Sequence, residues 1–252
     1  IGRLVGSEMC IRDSFCPAAA AVAHQLYEDN PGRVLVSSIH AGPTGQMEGN
    51  QELVPSEGYV EDFTTPEGFA IGLKFGNGTA GSPFQGNPYG TISRVDQGNG
   101  FPVTGAADWT GATNSMISAN DLKVNIQSSA NYYPSTRGFF LHTEVDILDA
   151  GINSDDLSIV VHLIEDSLVA PQKLSNNSTQ YDYVHRDIFR GSIDGFAFGQ
   201  SLDAEHLMAS GNYEHFYIYE LPTDYNPDNM HVIIYVRDEV TEEVYQVIKQ
   251  KF

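Results

Sequence analysis

A cysteine and a proline at a helix start, then an alanine-rich helix, a turn and an apolar strand, constrain this chain more than any other stretch. The segment is FCPAAAAVAHQLYEDNPGRVLVSSIHAG, residues 15–42. Pro17 suits the first helical turn, where its missing N–H costs nothing. Val22 and Leu26 lie four apart on one face, with small alanines around them that permit close packing. Asp29-Asn30-Pro31-Gly32 is a turn signal. Val34, Leu35 and Val36 form a continuous apolar run, as in a strand buried on both faces.

A cysteine at a helix N-terminus, followed by that helix and a buried strand, resembles the active-site corner of thioredoxin-like proteins. In this resemblance Cys16 is the second, resolving cysteine of a C-x-x-C pair, and Asp13 stands in the place of the first. One resolving thiol can form a mixed disulfide but cannot resolve one. Pro88 resembles the proline that faces the cysteine pair in such folds; the alternative is an ordinary turn proline. Residues 1–14, IGRLVGSEMCIRDS, have no clear period, no helix cap and no apolar core of a secretory signal. VGSEMCIRDS is similar to a translated sequencing adapter of the kind found at the ends of metagenomic contigs. Residues 1–14, Cys10 included, are therefore expected to be foreign or disordered, and the strand before the cysteine helix to be missing. Its neighbours, 33–39 and 91–95, would then lose ladder partners, leaving the N-terminal part the less stable.

At 252 residues the chain can form one large or two ordinary domains. Its 24 glycines, 13 tyrosines and 13 phenylalanines favour β-rich structure over a helical bundle. A formal charge of −20 argues against nucleic acid as a partner, because binding a phosphate backbone requires clustered cations. No apolar run approaches the roughly 20 residues of a membrane-spanning helix. Two cysteines are too few for a disulfide framework.

Residues 41–58 are glycine-rich and polar, a loop. Thr65-Pro66-Glu67 is a cap, a first-turn proline and an acid at a helix start, with Phe69 and Leu73 on one face and glycines 76–81 ending the helix. Residues 87–94 are a proline entering a short strand, 97–100 a hairpin turn, and 101–103 the start of the return strand. From Asp108, Trp109, Thr113, Met116 and Ile117 recur at helical spacing. After Asn120 strands dominate: 122–126, 139–147, 157–164, 213–221, 230–236 and 244–250, the last a hairpin strand rather than a helix for its β-branched and aromatic content. The expected fold is thus α/β plus all-β. A truncated thioredoxin-like domain lacking its first strand, 15–119, precedes an antiparallel β-sandwich domain, 120–252.

Several strings occur in a telling order. They are Cys16-Pro17, SIHAG at 38–42, FTTPEG at 63–68, LIEDSLVAPQ at 163–172, YDYVHRDIFRGSIDG at 181–195 and NMHVIIYVRDEVTEEVYQVI at 229–248. Together they resemble the Omp28-related envelope proteins of Bacteroidetes, from about residue 15 to the end. The resemblance implies an exported protein of the periplasm, outer membrane or cell surface, with a thioredoxin-like and a β-rich domain; no signal segment is present in this sequence. The chain departs from the family's C-x-x-C at Asp13. It departs from a Tyr-x-His-Asn-His string where Arg186-Asp187 follows His185.

No other chemistry is complete. The histidines at 24, 40, 142, 162, 185, 206, 215 and 231 show no H-E-x-x-H spacing. Asp224–Asn229 begins like a calcium loop but lacks its glycine, and Tyr235 stands where the closing glutamate belongs, so it is expected to be an inter-strand loop. His185 is expected to be a structural histidine. Glu165-Asp166 would point to opposite faces of a strand, a poor acid–base pair. Tyr213, Phe216, Tyr217 and Tyr219 are expected to pack across strands in a core rather than line a carbohydrate or peptide face. There is no G-x-S-x-G and no phosphate-binding G-x-x-x-x-G-K. The function expected is that of a non-catalytic envelope protein for adhesion or assembly, using no cofactor and no metal, with an envelope or surface protein as partner. The alternative is a thiol–disulfide oxidoreductase whose first cysteine is lost.

Overall fold

The computed structural model describes residues 2–41, 53–75, 88–98 and 100–252. Most of the loop at 41–58, the glycines 76–81, Asn87 and Asn99 lie outside the described residues.

The chain opens with strand β1, Arg3–Glu8, then helix α1, Cys16–Asp29, and strand β2, Val34–Ile39. Helix α2, Pro66–Phe75, is capped as its sequence implies, Thr65 Oγ1 accepting the Gly68 N–H at 2.9 Å. Strands β3, Tyr89–Ile92, and β4, Val103–Gly105, lead into helix α3, Ala106–Ala119. Among the described residues the order after Cys16 is the expected one: helix, strand, helix, strand, strand, helix.

The expectation that the first strand is missing is overturned. β1 pairs in parallel with β2, Arg3 opposite Val34 through Glu8 opposite Ile39, and antiparallel with β3, Val5 opposite Ile92. The segment serves as a central strand because its apolar pair, Leu4-Val5, sits mid-strand while its charged residues fall at the ends. Arg3 Nη2 donates to the Met116 carbonyl at 3.2 Å. Close packing is helped by glycine on the neighbouring strand. A Cβ on Gly90 would lie 2.6 Å from Trp109 Cζ2 and 2.7 Å from the Gly6 carbonyl oxygen. Residues 9–14 are ordered too, and Cys10 belongs to the core.

Ten further strands follow this unit. They include β5 (Val124–Tyr133), β6 (Gly138–Ile147), β7 (Leu157–Glu165), β8 (Leu168–Lys173), β9 (Thr179–His185) and β10 (Ile188–Ser192). β11 (Gln200–Ser201), β12 (Tyr213–Glu220), β13 (Met230–Asp238) and β14 (Val244–Lys251) complete the chain. Among the described residues the largest sheet has nine strands in the order β14-β13-β7-β10-β2-β1-β3-β4, with β11 also on β7. A three-stranded sheet, β12-β6-β5, and the hairpin β8-β9 lie apart from it.

Alternation explains the layers. Leu157, Ile159, Val161 and Leu163 of β7 join Val232, Ile234 and Val236 of β13 in a core with Val124, Phe139, Leu141 and Tyr217 of the three-stranded sheet. The intervening Val160, Ile164, Ile233 and Tyr235 join the core of α1, α3, β1 and β2. Both faces are buried, which is why these two strands read as nearly continuous apolar runs, that of β7 broken by His162. The second half therefore differs from a self-contained sandwich. One of its layers belongs to the sheet that also contains β1–β4, because β10 meets β2 at Ile188 and Ser38.

One sheet through both halves predicts comparable hydrogen-exchange protection in Val34–Ser38 and Ile159–Leu163. It also predicts that limited proteolysis near Asn120 yields fragments that stay associated. Much faster exchange in Val34–Ser38, or release of a stable 121–252 fragment, would contradict this.

Candidate functional site

The cysteine corner is built from both halves of the chain. Cys16 is the first residue of α1 and its sulfur accepts the Cys10 N–H at 3.2 Å. Phe15 N–H is bound by Asp13 Oδ1 at 2.8 Å. A sulfur at a helix start that accepts a backbone N–H has the geometry of cysteines that act as nucleophiles. Here the corner is covered. Gln172, on the β8–β9 hairpin, donates its side-chain amide to the carbonyls of Asp13 at 2.9 Å and Cys10 at 3.3 Å. Lys173 N–H adds a bond to the Ile11 carbonyl at 2.9 Å. Cys16 is left 2% exposed, and both cysteines are buried thiols.

Between α1 and the hairpin lies a cavity of about 140 Å³ lined by Cys16, His40, Gln172, Tyr183, His185 and Arg186, among others. His185 ends β9 in a ring cluster, 5.2 Å from Phe63, 4.8 Å from Tyr183 and 6.4 Å from His40. Among the described residues His40 Nδ1 and His185 Nε2 have no hydrogen-bond partner. Burial pushes His40 down to about 3, helped by His185 and Arg190 and opposed by the Ser38 backbone. Burial pushes His185 down to about 4, against hydrogen bonds with the backbone of Ala170 and Pro171. Tyr183 is raised, chiefly by burial and then by the Cys16 sulfur, with Arg186 opposing. Both imidazoles are thus neutral at pH 7. They are poor general bases, since a base works best with a pKa near the operating pH.

The other sequence candidates are dispersed. Pro88 lines a separate open groove with Phe15, Ala19 and Val22, and so sits by the same helix but not in the Cys16 cavity. Glu165 is buried against Arg190, with Nε 3.4 Å from Oε2, whereas Asp166 meets Arg186 at 3.5 Å. Asp224–Asn229 is an inter-strand turn in which Asn226 accepts the Asp228 N–H. Tyr213 and Tyr217 are buried in the core and Tyr219 packs against it, but Phe216 points outward and is 72% exposed, against expectation. Among the described residues one trio of metal-ligating side chains converges, His142, Glu144 and Glu214, far along the chain from Cys16 on β6 and β12. The convergence of Gln172, Tyr183 and His185 on Cys16 was not foreseen. The signal for it was Tyr183 and His185 at alternate positions on the more buried face of β9.

These features describe a sheet-rich α/β protein whose helix-start cysteine is closed over by a hairpin from its second half. The chain belongs to the family described as outer membrane protein Omp28, whose family model matches residues 83–252. It is thereby a cell-envelope protein. In fold it is similar to HBP35 of Porphyromonas gingivalis, with a TM-score of 0.72 and 11% identity, covering 100% of this chain and 75% of that one. It is similar to protein AGR_C_4864 from Agrobacterium tumefaciens at a TM-score of 0.51 and 11% identity, covering 99% and 93% of the two chains. A domain of the outer membrane lipoprotein Omp28 from P. gingivalis aligns at 22% identity over 52% of this chain and 88% of that domain, with a TM-score of 0.36. No curated protein matches the sequence. No helix among the described residues is long and apolar enough to cross a membrane.

Two outcomes follow from the corner. In the folded protein a maleimide or disulfide reagent should modify Cys16 slowly, and Gln172→Ala, which unties the hairpin from residues 10–13, should speed it by about tenfold or more. Prompt labelling of the parent protein would show that the cover is not closed. The second outcome concerns pH. His40, His162 and His231 are each pushed down to about 3 and His185 to about 4, all chiefly by burial. Between about pH 6.5 and 4 the unfolded chain takes up protons that these four groups refuse, about 1.4 kcal/mol per pH unit each. Their contribution is intact above that window and is lost as pH falls through it. Glu8 and Asp187, both raised by burial, the latter to about 7, act in the opposite sense and lose their contribution as pH rises. His215, also pushed down to about 4 by burial, joins the first set and Glu165, also raised by burial, the second; five imidazoles outweigh three carboxyls, so urea unfolding should show lower stability at pH 5 than at pH 7. Equal midpoints would refute the burial argument.

Proposed function

We propose that this envelope protein is non-catalytic. Its N-terminal part is a thioredoxin-like scaffold, and its β-rich part provides an adhesion or assembly surface for an envelope partner. The observation that carries the reading is the closed corner: Cys16 is 2% exposed beneath the hairpin, with Asp13 three residues before it. The scaffold reading is supported by the strand order β2-β1-β3-β4 and by α1 beginning at Cys16 between β1 and β2. The low basicity of His40 and His185 removes the adjacent base that a lone nucleophilic cysteine would need. The surface reading is supported by Phe140, Phe216 and Ile218, which stand exposed side by side on the outer face of β6 and β12. Large exposed apolar groups in one patch mark interaction sites more often than chance.

The second reading, a thiol–disulfide oxidoreductase without its first cysteine, is favoured by one observation, the cavity against Cys16. An insulin-reduction assay separates the two. The chain should show no turnover beyond a Cys16→Ser control, because a single resolving thiol cannot cycle. Turnover above that control would replace the scaffold reading with the redox one. For the surface, the Phe216→Ser/Ile218→Ser double variant should be retained on outer-membrane vesicles less than the parent; equal retention would move the adhesive face elsewhere.

A further inference from the structure

We infer that the outer face of the three-stranded sheet carries a divalent-cation site made by His142, Glu144 and Glu214, independent of the Cys16 corner. Strand alternation sends Leu141, Thr143 and Val145 inward and leaves His142 and Glu144 on the outer face. In the β6–β12 register Glu214 stands directly opposite Glu144, and Phe216 directly opposite His142. Two carboxylates facing each other across a ladder repel. Among the described residues neither has a lysine or arginine within ion-pair distance. The group that approaches both is His142, with Nδ1 4.0 Å from Glu144 Oε1 and Nε2 3.5 Å from Glu214 Oε2. Asn212 Nδ2 makes a long contact of 3.5 Å to Glu144 Oε2.

The imidazole is held in place for this role. Its ring stacks on Phe216 at 4.5 Å and 12° between planes. Its Nε2 is shut off from solvent and, among the described residues, has no hydrogen-bond partner, although it faces a carboxylate. One donor atom from each of the three residues lies within 4.8 Å of the others. Ligand bonds of about 2.0–2.2 Å around a tetrahedral ion hold neighbouring donors about 3.4 Å apart. The three donors, within 4.8 Å of one another, would have to close by up to about 1.4 Å to reach that spacing. One imidazole with two carboxylates favours a borderline cation such as Zn²⁺ over Ca²⁺, which prefers an all-oxygen shell. Two carboxylates balance its charge, and a fourth position stays open toward solvent. A bound ion would also tie the edge strand β12 to β6 beside the exposed Phe216.

The test is a Zn²⁺ titration of the full chain after EDTA treatment, read by calorimetry and by thermal unfolding. One equivalent should bind and raise the unfolding temperature. His142→Ala and Glu214→Gln should each weaken binding by about tenfold or more, and equimolar Ca²⁺ should not compete. His206→Ala should bind as the parent does; His206 and Asp203, 2.7 Å apart, are the alternative exposed imidazole–carboxylate pair. Without metal, Glu214→Gln should unfold no earlier than the parent, since it removes a repulsion, and this also checks that the variant folds. Absence of binding, undiminished binding by His142→Ala, or loss of binding in His206→Ala would each overturn the site.

Discussion

Every residue of β7 is buried, and that one strand fixes how the rest can be arranged. A strand buried on both faces needs backbone partners on both edges and apolar cover on both sides. β13 lies along one edge in an unbroken nine-residue register from Met230 to Asp238, and β10 lies along the other. One side is covered by the three-stranded sheet, the other by the core shared with the helices. The two halves of the chain are joined because β7 and β13 present side chains to both cores at once.

Polar groups reinforce the same junction. Arg94 is buried with its guanidinium 4.6 Å from the Phe75 ring and donates to the Tyr235 hydroxyl at 2.9 Å. That hydroxyl in turn meets His162 Nε2 at 3.1 Å. Glu242 in the β13–β14 turn gathers Arg94, Arg237 and Lys74. Buried charges are tolerated only when paired, so Arg94 from the first half and Arg237 from the second depend on one carboxylate. An ion cluster of this kind adds little net stability over apolar packing, but it resists any docking of the halves that separates its members.

Much of the architecture was legible in the residues, and the failures have physical causes. The helices at 16–29 and 106–119 and the strands β2, β5, β6, β7, β12, β13 and β14 follow from periodicity, because burial of one or both faces writes itself into the pattern. Thr65-Pro66-Glu67 announced α2 through cap chemistry. β1 was missed because RLVGSE has only two large apolar residues in a row, and a glycine and an arginine argue against a central strand in isolation. Its place is set by neighbours from 34–39 and 89–92, which no local pattern records. The hairpin β8–β9 escaped notice for a related reason: its value lies in what Gln172 and His185 reach, about 160 and 145 residues away in sequence from Cys10 and His40. Cys16 itself was legible, since helix-start chemistry is local, but its closure was not.

Aspartate at position 13 of the cysteine corner is intelligible in these terms. The start of a 14-residue helix carries partial positive charge, and it favours an anion whether that anion is sulfur or carboxylate. Asp13 meets the same demand that a reactive thiolate would meet, and binds the Phe15 N–H besides. Nothing in the helix or in the hydrogen bonds around it requires sulfur at position 13. The hairpin reinforces this, since Gln172 grips the backbone carbonyls of Cys10 and Asp13 rather than their side chains. A corner held by main-chain contacts keeps its shape whatever side chain stands there. The corner therefore keeps its architecture with Asp13 in place, while Phe216 and Ile218 stand exposed on the outer face of β12.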